Sequence, residues 1–245
     1  MIGVIVNGSE GKVGREVVRA VKLDKELELV GQIDINDNLT ECINLNRSNV
    51  VIDFTHPEAA YKNAETIILN GCNAVIGTTG ITQEQRGKLE TLAVENKVGI
   101  LIAPNFCIGA VLMMKFAAEA AMYMPNVEII EYHHDRKADS PSGTAITTAE
   151  NINNRVNSTN PPSVMGKEML GDNSQGVRVG NIRIHAVRLP GFVASQEVIF
   201  GDLGQTLKIR HDTINREAFV PGILQATKKI IGKTGMFYGL ETLIF

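Results

Sequence analysis

Apolar and polar positions along this chain follow two periods. Short β-rich runs of strand length, at residues 2–6, 27–33, 50–54, 74–76 and 98–103, alternate with segments of helical period at 11–22, 57–70 and 82–95. Runs that are apolar throughout, such as Val4-Ile5-Val6 and Val50-Val51-Ile52, suit strands buried on both faces. The strand, helix, strand order therefore predicts a parallel sheet covered by helices. A polar or glycine-rich turn follows each of these runs: residues 8–14, Asp34, Thr55-His56, Gly77-Thr78-Thr79-Gly80 and Pro104-Asn105. In an open parallel sheet those carboxyl ends share one edge, where ligands bind.

Beyond residue 104 the texture changes. A helical segment at 108–122 leads to a strand at 126–133, a helix opening at Pro141 and a run without alternation at 157–176. Strand-like runs at 181–188, 196–200 and 206–211 predict a mostly antiparallel sheet, and a helix at 217–231 returns to the first part. The fold class is α/β: a Rossmann-type parallel-sheet domain at 1–104 and 216–245, and a smaller α+β domain at 105–215.

Composition narrows the setting. The chain has 245 residues, 44% of them hydrophobic and 21% charged, which suits a folded globular protein and excludes a largely disordered one. A formal charge of -3 without any lysine or arginine run gives no electrostatic case for nucleic acid. Cys42, Cys72 and Cys107 are odd in number and widely spaced, so neither a disulfide framework nor a metal site is expected. Reduced thiols, no signal-like opening and no apolar stretch of membrane-spanning length point to the cytoplasm.

Two segments carry chemistry. The loop Gly8-Ser9-Glu10-Gly11-Lys12-Val13-Gly14 joins the first strand to the first helix, where a dinucleotide's pyrophosphate sits on a helix N-terminus. Its spacing is G-x-x-G-x-x-G, and a tight strand-to-helix turn without a ligand is the other reading. Asp34, at the end of the second strand, is placed to accept from adenosine ribose hydroxyls. Asp34 and Asp37 would repel a 2'-phosphate, whereas Lys12 would attract one or simply be solvated, which favours NADH with NADPH tolerated. Gly77, Thr78 and Thr79 let backbone approach the nicotinamide ribose side, and the Asn105 amide can recognise a carboxamide. His56, His185 and His211 read as structural.

The second segment is Glu131-Tyr132-His133-His134-Asp135-Arg136-Lys137-Ala138-Asp139-Ser140-Pro141-Ser142-Gly143-Thr144-Ala145. Imidazole titrates at about pH 6.5, so a histidine here can exchange a proton near neutrality, with Lys137 as cation or second donor. Pro141 suits a first helical turn that Ser140 or Ser142 could cap. The amides of Ser142, Gly143 and Thr144 would then face an anion, which implies a small acid as substrate. A solvated polar loop is the alternative for the His pair alone; Lys137 and the Ser-Gly-Thr turn weigh against it.

These residues, with Asp53-Phe54-Thr55, Ala103-Pro104-Asn105-Phe106 and Val187-Arg188-Leu189-Pro190-Gly191, resemble the 4-hydroxy-tetrahydrodipicolinate (dihydrodipicolinate) reductase family over the whole length. The resemblance implies NADH- or NADPH-dependent reduction of a cyclic, unsaturated dicarboxylate in diaminopimelate and lysine biosynthesis. It implies acid/base chemistry at His133, proton donation by Lys137 and substrate contacts at His134, Gly143 and Thr144. Nucleotide contacts would fall on Gly8, Ser9, Glu10, Gly11, Lys12, Val13, Asp34, Gly77, Thr78, Thr79, Ala103, Pro104, Asn105 and Phe106. It also implies a homotetramer assembled through the smaller domain, which would hold the substrate. Cys107 stands where serine is usual and Ser140 where alanine is common, and Cys107 makes sensitivity to thiol reagents an expectation. Two other readings remain: a different two-domain dehydrogenase acting on an amino acid or polyol, and a non-catalytic redox sensor that binds the dinucleotide. A sensor would not need His133 and Lys137 beside an anion site.

Overall fold

A computed structural model of the chain describes residues 1–156 and 175–245, so most of the run at 157–176 lies outside the described residues. The chain divides into two compact units, Met1–Cys107 with Arg216–Phe245, and Ile108–Asn215.

The first unit opens β1(Ile2–Asn7), α1(Gly14–Leu23), β2(Leu27–Ile33), α2(Leu39–Asn46), β3(Val50–Asp53), α3(Pro57–Leu69), β4(Asn73–Ile76), α4(Gln83–Glu95), β5(Gly99–Ile102). The second holds α5(Ile108–Ala120), β6(Asn126–His133), α6(Gly143–Val156), β7(Val177–Val179), β8(Ile182–Arg188), β9(Ala194–Asp202) and β10(Gln205–Thr213). The chain re-enters the first unit through a 3-10 turn at Arg216–Phe219, then α7(Val220–Lys229), β11(Gly235–Tyr238) and α8(Glu241–Ile244).

The first sheet has the order β11-β5-β4-β3-β1-β2, and every pair in it is parallel. Its central strands are the apolar runs read from sequence: Val4, Ile5, Val50, Val51, Ile52, Ala74, Val75, Ile76, Ile100 and Leu101 are fully buried. Helices on the faces account for this, since both sides of each strand are covered. From β1 the chain goes to β2 on one side and to β3 on the other, so the turns after β1 and β3 flank a topological switch point.

The second sheet, β10-β9-β6-β8-β7, is antiparallel except for the β6–β8 pair. Within that unit α5 packs on α6 and on β10. This parallel pair brings the end of β8 beside the end of β6, with Arg188 in register with His133.

Several expectations needed correction. α1 begins at Gly14 and not at residue 11, because the Gly11 amide closes a turn onto the Gly8 carbonyl at 3.0 Å. α6 begins at Gly143, with Ser142 as its cap and a cis Ser140–Pro141 peptide before it, so Pro141 stands outside the helix. The expected helix at 217–231 is a 3-10 turn followed by α7. α2, β7, β11 and α8 were not anticipated.

Candidate functional site

In the first unit the glycine loop is tied to the sheet by its own backbone. The Gly8 and Ser9 amides donate to the Ile33 carbonyl at 2.9 and 3.1 Å. A Cβ on Gly14 would overlap the Gly8 carbonyl oxygen, so the third glycine is demanded by the close approach of α1 to this loop. The Glu10 amide donates to Asp34 Oδ2 at 3.0 Å, and Asp34 Oδ1 accepts from the Ile35 amide at 2.9 Å. Asp34 therefore braces the loop as well as facing the hollow beside it.

That hollow, about 390 Å³, is lined by Asn7, Gly8, Gly11, Asp34, Asp37, Phe54, Thr55 and His56 among others. A second hollow, about 420 Å³, shares Gly11, Phe54 and Thr55 with it and adds Lys12, Val13, Pro57, Gly77, Thr78, Thr79 and Arg216. Together they run along the carboxyl edge of the sheet from β2 to β4. A hollow at the switch point, a loop with no room for a Cβ at Gly8 or Gly14, a helix N-terminus and a carboxylate after β2 fit a dinucleotide. Ser9, Glu10, Ala103, Pro104, Asn105 and Phe106 line neither hollow. Ser9, Ala103 and Phe106 are buried, the Asn105 side chain accepts from the Cys107 amide at 2.8 Å, and the Phe106 ring lies 5.6 Å from that of Phe54. Lys12 lies in the second hollow with Arg216, whereas Asp34 and Asp37 line the first.

A residue whose role the sequence did not disclose organises these turns. Asp53, at the end of β3, is fully buried and accepts from Asn7 Nδ2 at 2.7 Å, Asn63 Nδ2 at 2.9 Å, Thr55 Oγ1 at 2.9 Å and Thr78 Oγ1 at 2.6 Å. Thr78 Oγ1 also accepts from the Thr55 amide at 2.8 Å. A buried carboxylate is tolerated when its lone pairs are satisfied, and here the donors come from the ends of β1, β3 and β4 and from α3. His56 is the N-cap residue of α3, as its place before Pro57 suggested, but its side chain makes no cap bond.

In the second unit His133 closes β6, and Glu131, two residues earlier, projects to the same face of that strand. Glu131 is fully buried. Its Oε2 lies 2.5 Å from His133 Nδ1 and 2.8 Å from Arg188 Nη1; its Oε1 accepts from Arg188 Nη2 at 2.7 Å and from the Ser142 amide at 3.0 Å. Burial pushes the Glu131 carboxyl up, but the hydrogen bonds and charges of His133 and Arg188 outweigh it and hold the pKa at about 2. Arg188 Nη2 also donates to the Asp139 carbonyl at 2.9 Å. The Ser142 amide expected to face a ligand anion is thus already taken by Glu131.

Lys137 follows in the turn, its Nζ donating to both oxygens of Asp139 at 2.7 and 2.8 Å. That hydrogen bond, against some desolvation, holds the Asp139 carboxyl below its ordinary value. His134 Nδ1 is buried without a hydrogen-bond partner, which is costly unless a ligand supplies one. Gly143 opens α6 with free space where a Cβ would stand. His185 pairs with Glu128 at 2.9 Å, and burial pulls the His211 imidazole below its ordinary value. The Cys107 thiol is buried, which sets aside the expected access to thiol reagents.

The family model described as "Dihydrodipicolinate reductase, N-terminus" matches residues 2–106, and "Dihydrodipicolinate reductase, C-terminus" matches residues 109–244. The chain belongs to the dihydrodipicolinate reductase family. A 4-hydroxy-tetrahydrodipicolinate reductase of Syntrophomonas wolfei is 46% identical over 261 residues, covering 98% of each chain. One of Coxiella burnetii is 46% identical over 243 residues, covering 99% of each. Among solved structures, a dipicolinate-bound dihydrodipicolinate reductase from Paenisporosarcina sp. TG-14 superposes with TM-score 0.90 at 37% identity, covering 99% of both chains. An amine dehydrogenase from Mycobacterium smegmatis, TM-score 0.68 at 12% identity, shares the fold alone. Family membership makes this chain an oxidoreductase, and a reductase family with a Rossmann-type unit implies a nicotinamide dinucleotide, NADH or NADPH. No helix among the described residues is long and apolar enough to cross a membrane.

Proposed function

We propose that this chain reduces 4-hydroxy-tetrahydrodipicolinate, by way of dihydrodipicolinate, to tetrahydrodipicolinate, with NADH favoured over NADPH. Residues 1–104 and 216–245 bind the dinucleotide, and residues 105–215 bind the cyclic dicarboxylate and carry the contacts of a homotetramer. The observation that carries the reading is the imidazole of His133, anchored on Glu131, in one short segment with Lys137 and the open start of α6.

The dinucleotide, when bound, supplies hydride. The chain's own residues do the rest. Gly8, Gly11, Val13, Gly77, Thr78 and Thr79 line its bed, and Ser9, Glu10, Ala103, Pro104, Asn105 and Phe106, in the turns after β1 and β5, supply further nucleotide contacts. Asp34 and Asp37, lining the first hollow, would repel a 2'-phosphate, whereas Lys12, lining the adjoining one, lets NADPH be tolerated. This favours NADH.

His133 acts as acid/base and Lys137 as proton donor, the latter once its ammonium leaves the two Asp139 oxygens for the substrate ring. His134, through its unsatisfied Nδ1, and the amides of Gly143 and Thr144 receive a carboxylate. His133→Gln lowers kcat by roughly a hundredfold or more while leaving the dinucleotide KM in place.

The test follows absorbance of NADH, then NADPH, with the purified chain and the product of dihydrodipicolinate synthase generated in the same cuvette. Oxidation that needs both proteins, faster with NADH, is expected. No oxidation with either nucleotide, despite nucleotide binding, would sink the assignment.

A further inference from the structure

Glu131, Arg188 and the Ser142 amide form a closed set of contacts whose one free consequence falls on His133. A carboxylate with a pKa of about 2 is ionised at neutral pH and has no proton to give. It can only accept. At 2.5 Å the Glu131 Oε2 and His133 Nδ1 are hydrogen-bonded, so the proton between them belongs to Nδ1. Both carboxylate oxygens are further fixed, Oε2 by Arg188 Nη1 at 2.8 Å and Oε1 by Arg188 Nη2 at 2.7 Å and the Ser142 amide at 3.0 Å. The planar guanidinium meets the carboxylate as a fork on a fork, which leaves the carboxylate no rotation. Glu131 and Arg188 sit on paired strands and Ser142 caps α6, so separate elements of one unit hold the same carboxylate.

We infer that Glu131 is a positioning residue that locks His133 in the Nδ1–H tautomer and reserves Nε2 as the atom that exchanges a proton with the substrate, with Arg188 as the brace that keeps Glu131 in place. This rests on the acid/base reading of His133. In the imidazolium both nitrogens carry protons. The one passed to the substrate is that on Nε2, and the Nδ1 proton stays in its bond to Glu131, leaving a neutral imidazole ready to be reloaded from solvent. Arg188 serves by holding an anion, not by touching the reacting ring. Without the lock the neutral imidazole could carry its proton on either nitrogen, and the fraction with the proton on Nε2 would lack a base there.

The tautomer is directly observable. In protein labelled with 15N-histidine, the His133 signals are assigned by their loss in His133→Gln, and the spectrum is read at a pH where the ring is neutral. A pyrrole-like Nδ1 and a pyridine-like Nε2 are expected. In Glu131→Gln, whose amide can donate as well as accept, that preference is lost and kcat falls at least about tenfold, with the dinucleotide KM within about twofold. A wild-type proton on Nε2 overturns the inference. So does a Glu131→Gln protein that keeps the wild-type tautomer, or one that changes tautomer without slowing. If Glu131→Gln does not fold, the wild-type spectrum still decides the tautomer. Glu131→Asp, which draws the carboxylate back by one methylene, then supplies the rate comparison, and an unchanged kcat there counts against the inference. An unchanged rate in His133→Gln would defeat the acid/base reading itself and the inference with it. A wrong tautomer beside an inactive His133→Gln would defeat the inference alone.

Discussion

Gly77 and Phe54 compete for one space: a Cβ on Gly77 would overlap the Phe54 ring, and Phe54 lines both hollows of the first unit. Gly77→Ala should therefore displace the ring, cost about 1 to 3 kcal/mol and raise the dinucleotide KM several-fold, as thermal unfolding and steady-state kinetics would show. Glu131 makes a prediction of another kind. Its carboxyl lies at about 2 in the fold against an ordinary 4.5, a depressed value. Its contribution is complete above the ordinary value and fades as pH falls from there toward about 2. The thermal midpoint should drop through that window, and Glu131→Gln should flatten that part of the curve. The sequence disclosed the type of these groups but not their pairing. Asp53 and Glu131 each read as one more polar letter, because part of what satisfies them lies far away in the chain: Thr78 for one, Arg188 for the other. One local signal was available for Glu131, since a carboxylate two positions before a strand-end histidine must share its face.

Elements were legible where local pattern decided them. β1, β3, β4 and β5 each carry an unbroken apolar run, and α4 announces itself by Thr82 and Gln85, whose side chains and backbones bond reciprocally as a capping box. β11 was not legible. Gly235-Met236-Phe237-Tyr238 is short and unremarkable, and it becomes a strand by pairing with the open edge of β5 and by stacking Tyr238 under the Arg86 guanidinium at 3.9 Å. The start of α6 was placed at Pro141 because proline is a strong helix-start letter; of the two caps the sequence offered, Ser140 and Ser142, the one that forms is the Ser142 hydroxyl, accepting from the Ala145 amide at 3.2 Å. Ser142→Ala should remove that cap at a cost of about 1 kcal/mol in denaturant unfolding. It should leave kcat close to wild type, because the bond to Glu131 runs through the backbone amide.

At the scale of the whole molecule, the two units carry different chemistry, and a ligand for either one stabilises the folded chain by mass action. NADH at about a hundred times its Kd should add roughly 2.7 kcal/mol and raise the thermal midpoint, measurable by calorimetry without any substrate. A flat response would mean that the hollows beside the glycine loop do not hold the dinucleotide. The family match in two consecutive blocks follows the chain, whereas the compact units do not: α7, β11 and α8 belong to the first unit although they follow the second. A ribosome delivers β5 long before its neighbour β11, after residues 103–234 have been made. Until then one margin of the parallel sheet has its amides and carbonyls unclaimed, open to strand addition by another nascent chain. Crowded overexpression thus adds a risk of misassembly at that seam while synthesis is under way, and a peptide copying residues 235–238 is the natural decoy for it.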